Sequence, residues 1–199
     1  MKRQQLSLMA ATIALAILSS SSYAQNTSFA QSIYFGAGVA QTDIDINQQN
    51  IKAINALPAQ SAFDNQGGGY SVFLGTKLDR YLSLEMAYTS LGDIQMTLNE
   101  QTTELFSIDA LNVTGILSYP LSQNTDVFAK LGVAEWKLEN ENSFFNESGT
   151  GLTYGLGFDI NLYDSKSRAL RVEWTHQEFD EISINNSDTI TASMVFNFD

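Results

Sequence analysis

From Ile33 to Phe198 the side chains alternate between apolar and polar or small in eight separate segments, none of which sustains a 3.6-residue period. The segments run from Ile33 to Thr42, Gly69 to Leu78, Tyr81 to Leu91, Leu105 to Tyr119, Asp126 to Leu138, Leu152 to Leu162, Ala169 to Phe179 and Thr189 to Phe198. A period of two belongs to strands whose two faces meet different surroundings. Each segment is near the ~10 residues that a tilted strand needs to cross a bilayer. An even number is what an antiparallel barrel with both termini on one side requires.

The connections alternate in length. Asp79-Arg80, Pro120 to Thr125 and Tyr163 to Arg168 are tight turns, whereas Asp43 to Gly68, Gly92 to Glu104, Glu139 to Gly151 and Asp180 to Asp188 are long and polar. Short turns at one end and long loops at the other are how bacterial outer-membrane barrels are built. A soluble eight-stranded barrel of the lipocalin kind shares this spacing, so the faces must decide. In the third segment Leu82, Leu84, Met86 and Tyr88 share one face, and Tyr81, Ser83, Glu85 and Ala87 the other. The sixth sets Tyr154, Leu156, Phe158, Ile160 and Leu162 against Gly155, Gly157, Asp159 and Asn161, and the seventh sets Leu170, Val172 and Trp174 against Arg171, Glu173 and Thr175. Glycines recur beside the charges, at Gly36, Gly38, Gly75, Gly132, Gly155 and Gly157. Small residues fit where eight strands crowd a narrow lumen, so the glycine-and-charge face is assigned to the interior and the aliphatic and aromatic face to lipid. The expected fold is all-β, an eight-stranded antiparallel up-and-down transmembrane β-barrel.

Ahead of the barrel, Lys2 and Arg3 precede an apolar stretch from Leu6 to Leu18 and the small residues around Ser22-Tyr23-Ala24, the pattern of a cleaved signal peptide. That stretch is shorter than the ~20 residues of a spanning helix. Residues 1–24 are thus read as a signal peptide and residues 25–199 as the barrel domain. The chain has no Cys, which excludes lipid attachment at a cysteine and any disulfide framework. Mean hydropathy is −0.10, as expected when half of each strand faces a polar lumen. A net charge of −12 turns the chain away from nucleic acid, and one His without Cys leaves little for a thiolate or histidine metal site.

Three stretches resemble the OmpA-like transmembrane β-barrel family. Gly75 to Gly92, with Tyr81, Glu85, Tyr88 and Leu91-Gly92 at their spacing, resembles the family's second hairpin; Leu117 to Gly132, followed by Trp136, resembles its central turn and fifth strand. Arg171-Val-Glu173-Trp174 and the closing Val195 to Phe198 resemble its last two strands. The resemblance runs over most of residues 33 to 199. It implies charged pairs inside the barrel, at Glu85, Lys130, Asp159 and Arg171, with Glu173 and Lys77 on the same face; Gly38 stands where a basic residue is often found. The resemblance is to the family's barrel without its periplasmic peptidoglycan-binding domain, so it does not imply tethering to the cell wall.

Three acids and three bases inside are expected to pair, because a lumen shielded from water penalises an unpaired charge. With Tyr34, Phe73, Phe128 and Trp136 also inward, the interior is read as a structural plug, with a small or gated ion channel as the alternative. The lipid-facing aromatics Tyr119, Phe196 and Phe198 should lie towards the periplasmic rim, and Tyr70, Tyr88, Tyr154 and Trp174 towards the outside, as a girdle at headgroup level. The acid excess is placed in the loops, at Asp43, Asp45, Asp93, Glu100, Glu139, Glu141, Glu147, Glu178, Asp180 and Glu181, without metal-site spacing. Ile51 to Leu57 is an apolar run read as a short helix on the rim. His176 is the one residue offering enzyme chemistry, as a lipid A hydrolase, and it needs a serine such as Ser193 within reach; the reading favoured is a rim histidine, with no catalytic residue, metal or cofactor. The expected role is a non-enzymatic outer-membrane surface protein. Its expected partners are outer-membrane lipid and lipopolysaccharide, the barrel assembly machinery that reads the aromatic last strand, and host or phage surfaces.

Overall fold

In the computed structural model, residues 32–46, 62–64, 66–98, 101–139, 147–162, 167–179 and 184–198 are described. The signal-peptide stretch and the apolar run at 51–57 lie outside them. Eight long strands and one short one follow in order: β1 (Ile33–Ile46), β2 (Ala62–Asp64), β3 (Gln66–Lys77), β4 (Leu82–Leu98), β5 (Gln101–Pro120), β6 (Thr125–Glu139), β7 (Glu147–Asn161), β8 (Arg168–Glu178) and β9 (Ile184–Phe198). All pairings are antiparallel; leaving the short β2 aside, each long strand pairs with the next long strand in sequence, and β1 meets β9. The ladder therefore closes on itself into an eight-stranded barrel, while β2 pairs only with the outer part of β4.

Register fixes the barrel's shape. Partners followed once round the wall from Asp159 through Arg171, Ser193, Gly38, Ser71, Thr89, Ala110 and Trp136 return to β7 at Gly149, ten residues displaced. A stagger of that size tilts the strands by roughly 40° and leaves an interior that side chains can fill. Two short turns mark one end. Asp79 Oδ1 accepts from the backbone N–H of Tyr81 and Leu82 at 2.6 and 2.7 Å, and the backbone of Leu121 and Ser122 closes on Thr125 O at 2.9 and 3.0 Å. An aspartate that caps its own turn in this way needs no longer connection.

At the opposite end the strands outrun the expected boundaries. β1 continues to Ile46, β4 and β5 extend to Leu98 and from Gln101, and β7 and β9 begin at Glu147 and Ile184. Most of Gly92 to Glu104, read as a loop, is paired strand. Likewise Asp43, Asp45 and Glu178 lie on strands. The cause is physical: apolar alternation stops where the bilayer stops, whereas backbone pairing needs no apolar side chain and runs on into water.

The faces divide as the period demands. On β8 the burial alternates residue by residue, with Ala169, Arg171, Glu173, Thr175 and Gln177 inward. Outward, Val39, Leu117, Tyr119, Leu131, Val133 and Leu156 are 56–69% exposed. A belt of bare aliphatic surface above a polar interior inverts the soluble pattern and requires a lipid surround.

Glycine makes the narrow lumen possible. The Tyr34 ring lies over Gly75, Phe73 over Gly36, Phe128 over Gly157 and Trp136 over Gly149, so a Cβ at any of them would overlap the ring. Each large inward side chain thus lies flat across a glycine of the neighbouring strand. Gly92, at φ 96°, accommodates the register shift on β4. Gly115 is the contrast: it is exposed, and only Leu131 O lies near, at 3.9 Å. We predict that Gly75→Val costs about 1–3 kcal/mol by overpacking, whereas Gly115→Val stays within about 0.5 kcal/mol. Urea unfolding in lipid vesicles, read as loss of the fast-migrating band on unheated gels, separates them; equal midpoints would contradict this packing.

Candidate functional site

The strongest concentration of chemistry lies inside the barrel, one inward position above the turn end of β8. Arg171 is buried on all sides. Its Nη1 donates to Glu85 Oε2 at 2.7 Å, and its Nε and Nη2 donate to the two carboxylate oxygens of Asp159 at 2.7 and 2.8 Å. The Tyr34 hydroxyl donates to the same Glu85 oxygen at 3.0 Å. Three rings flank the guanidinium, with Phe128, Phe73 and Tyr34 centroids at 4.6, 4.9 and 5.6 Å. Only arginine suits this place, since its planar fork serves two carboxylates while its faces stack on aromatic rings. Asp159 is Arg171's neighbour in the β7–β8 register, while Glu85 reaches it from β4 across the lumen.

One level further out, Lys130 Nζ meets Glu173 Oε1 at 2.7 Å. The two residues belong to β6 and β8, with β7 between them. They touch because Gly155 and Gly157, their register partners on β7, present no side chain. Beyond this pair the inward hydrogen bonds among the described side chains join uncharged groups: Asn112 with Gln177 at 2.9 Å, Ser71 with Thr89 at 3.1 Å and Thr42 with Thr189 at 3.1 Å. At the outer mouth Ile44, Leu91, Ile108, Trp136 and Phe179 are buried.

Of the six inward charges marked in the sequence, the structure places Glu85, Asp159 and Arg171 in one cluster and Lys130 with Glu173 in a second. Lys77 joins neither. It is half-buried at the turn end and makes no ion pair among the described residues; with Asp126, Asp159 and Arg171 it lines a polar cavity of about 200 Å³. Sequence reasoning took Tyr34, Phe73 and Phe128 as space-fillers and missed their part in the cluster. Their inward parity was legible, but the ring-over-guanidinium arrangement depends on the stagger between strands.

On the outer wall, Phe35 stacks between Phe196 and Phe198 at 5.0 and 5.8 Å near the turn end, where Tyr119 is also exposed. Phe35 was not marked in the sequence, although it shares their face. Towards the other end Tyr70 lies against Tyr88 at 6.2 Å, and Tyr154 against Trp174 at 6.1 Å. His176 stands with this second group, 5.0 Å from the Tyr154 ring. Asp188 Oδ1 lies 3.0 Å from His176 Nδ1 and accepts from Trp174 Nε1 at 3.1 Å. Ser193 is buried in the lumen, on the opposite side of the wall from His176 and in register with Arg171, so the serine–histidine pair considered from sequence does not form. Among the described residues no group of three or more His, Asp or Glu side chains is placed to hold a metal ion.

The Arg171 cluster makes a sharp prediction. Arg171→Met strands two buried carboxylates and should cost about 3–5 kcal/mol. Adding Glu85→Gln and Asp159→Asn removes the stranded charge and should recover most of the loss. Vesicle unfolding midpoints measure both, and a neutral Arg171→Met would contradict the cluster.

A family pattern described as the outer membrane protein beta-barrel domain matches residues 10–198. Outer membrane protein A of Klebsiella aerogenes is 26% identical over 107 residues, 53% of this chain and 30% of that protein, and its Yersinia pseudotuberculosis counterpart is 27% identical over 107 residues, 54% of this chain and 29% of that protein. The match thus spans under a third of those relatives' own length. Among solved structures, Neisserial surface protein A has TM-score 0.60 at 11% identity, covering 83% of this chain and 97% of that one. OprG of Pseudomonas aeruginosa has TM-score 0.56 at 15% identity over 85% and 96%, and Ail of Yersinia pestis 0.54 at 12% over 85% and 100%. At such identities they share the fold. The closed barrel, its bare aliphatic belt and the matched pattern lead to one conclusion: this chain is an outer-membrane protein of the outer membrane protein beta-barrel domain family.

Proposed function

We propose that the barrel is a membrane anchor with a blocked lumen and that the protein acts as a non-enzymatic surface protein through its external end. The observation that carries this reading is the Arg171 cluster, in which one cation, two carboxylates and three rings occupy the width of the interior. Such a core resists opening, since separating the charges leaves each of them buried and unpaired.

The outward side chains divide at a rim. Beyond the Tyr70, Tyr88, Tyr154 and Trp174 level the wall turns acidic, with Asp43, Asp109, Glu135, Glu178 and Asp188 facing out. The aromatic rings seat the barrel among outer-membrane lipid, and the acidic rim meets the lipopolysaccharide headgroups and the medium. Phe196 and Phe198, on β9, are the features offered to the assembly machinery. Host or phage surfaces are the class of partner for the segments beyond the rim. Ail, which shares the fold, is named an attachment invasion locus protein and has been solved with the heparin analogue sucrose octasulfate.

A gated channel is the second reading, favoured by the polar cavity that runs from the turn end up to Arg171. Planar-bilayer recording distinguishes the two. The anchor reading expects no stable conductance from the wild-type chain, and frequent openings of porin size would overturn it. Replacing residues 47–61 with a short linker should leave the gel shift intact and reduce binding of whole cells to host or phage surfaces. A loss of the gel shift would place the role of that segment in folding instead.

A further inference from the structure

The polar cavity at the turn end is built as a pocket. It has a volume of about 200 Å³, and its floor is made by Arg171 and Tyr34, each only 3% exposed. Beyond that floor come the Lys130–Glu173 pair and the buried apolar mouth around Trp136 and Phe179, so a solute entering past the turns meets a dead end. The volume lies below the ~300–1,000 Å³ of pockets that hold drug-sized ligands, so the occupant has few heavy atoms.

Three bases, Lys77, Arg80 and Arg171, and three acids, Asp79, Asp126 and Asp159, line the cavity. Four of these six are engaged elsewhere. Arg171 and Asp159 hold each other through both carboxylate oxygens, Asp79 caps its own turn, and the Arg80 guanidinium lies over the exposed Tyr81 ring at 5.4 Å. Lys77 and Asp126 remain, and neither is in an ion pair with a described residue. They stand on β3 and β6 with β4 and β5 between them, so they face the cavity from separate walls. The residue opposite Asp126 in the β6–β7 register is Asp159, a like charge already held by Arg171, and it brings Asp126 no counter-ion. Between the two walls Ser83 and Ser118 add hydroxyls without charge, and Ala169 and Val195 add small apolar surface.

We propose that this cavity binds a small zwitterion of the amino-acid class, with its ammonium on Asp126 and its carboxylate on Lys77. A simple anion entering here faces Asp126 and Asp159 as well as Lys77, and a simple cation faces Lys77 and Arg171 as well as Asp126. Each meets a like charge for every opposite one. A zwitterion presents the matching end to each wall, and charge-assisted hydrogen bonds at both ends fix its direction. The site rests on the blocked-lumen reading only for its floor, and conductance and binding are separate readouts.

The test titrates the refolded full-length protein in micelles with glycine, acetate and methylammonium at constant ionic strength, following the backbone amide signals of Ser83 and Ser118. Glycine should give a saturable shift, while acetate and methylammonium, which carry one end each, should bind about tenfold or more weakly. Lys77→Met and Asp126→Asn should each weaken glycine by a similar factor. Exchanging the charges, Lys77→Asp with Asp126→Lys, should restore glycine binding, because the zwitterion can turn end for end; a purely structural role for either residue does not give that rescue. A wild-type barrel with no saturable glycine shift would overturn the proposal. Acetate or methylammonium binding as tightly as glycine would overturn it in favour of a simple ion site. If the variants do not assemble, as read by the gel shift, the three wild-type titrations decide alone.

Discussion

Hydrocarbon offers no partner to a backbone N–H or C=O, and the whole of this structure follows from that. A strand placed in lipid must pair on both edges, and the ladder from β1 round to β9 and back leaves no edge within the belt. Closure with eight strands then fixes a narrow interior, and the ten-residue stagger fixes which side chains meet across it. Arg171 and Asp159 are adjacent because their strands are, but Arg171 and Glu85 meet because the lumen is only wide enough for two side chains.

From that width comes the division of labour between large and small residues. Inward rings from one strand lie on glycines of the next, so the interior is filled without prising the strands apart. The same glycines let Lys130 reach over β7 to Glu173. Charge, ring and glycine are thus one arrangement. The guanidinium is tolerable because two carboxylates pair with it, and the three rings that flank it fit because glycines of the neighbouring strands leave them room. A core organised in this way is what the proposed anchor role rests on.

Much of this was legible in the sequence. Parity alone assigned Leu170, Val172 and Trp174 to one face and Arg171 and Glu173 to the other, because a side-chain period of two leaves no third option. Glycines beside charges indicated which face was inside. Strand ends were less legible: Asp43, Asp45 and Glu178 look like loop residues, since hydropathy reports the bilayer and not the ladder. The partnering of Arg171 was also out of reach, because it depends on stagger, a property of all eight strands together. Lys77 shows the same limit, having the right parity and yet standing too near the mouth to join either cluster. His176 and Ser193 have opposite parity about the wall, which their strands' alternation already implied.

The claim on which everything else rests is that the aliphatic face meets lipid and the charged face meets the lumen. The chain lacks cysteine, so single cysteines carrying a spin label report each position cleanly. Labels at Val39, Leu131 and Leu156 should be relaxed strongly by oxygen, which concentrates in lipid, and weakly by a water-soluble nickel chelate. Labels at Ser71 and Thr114 should be shielded from oxygen. The reverse pattern, with the aliphatic positions screened from lipid and the polar ones facing the surroundings, would mean a soluble barrel with its faces inverted and would contradict the account.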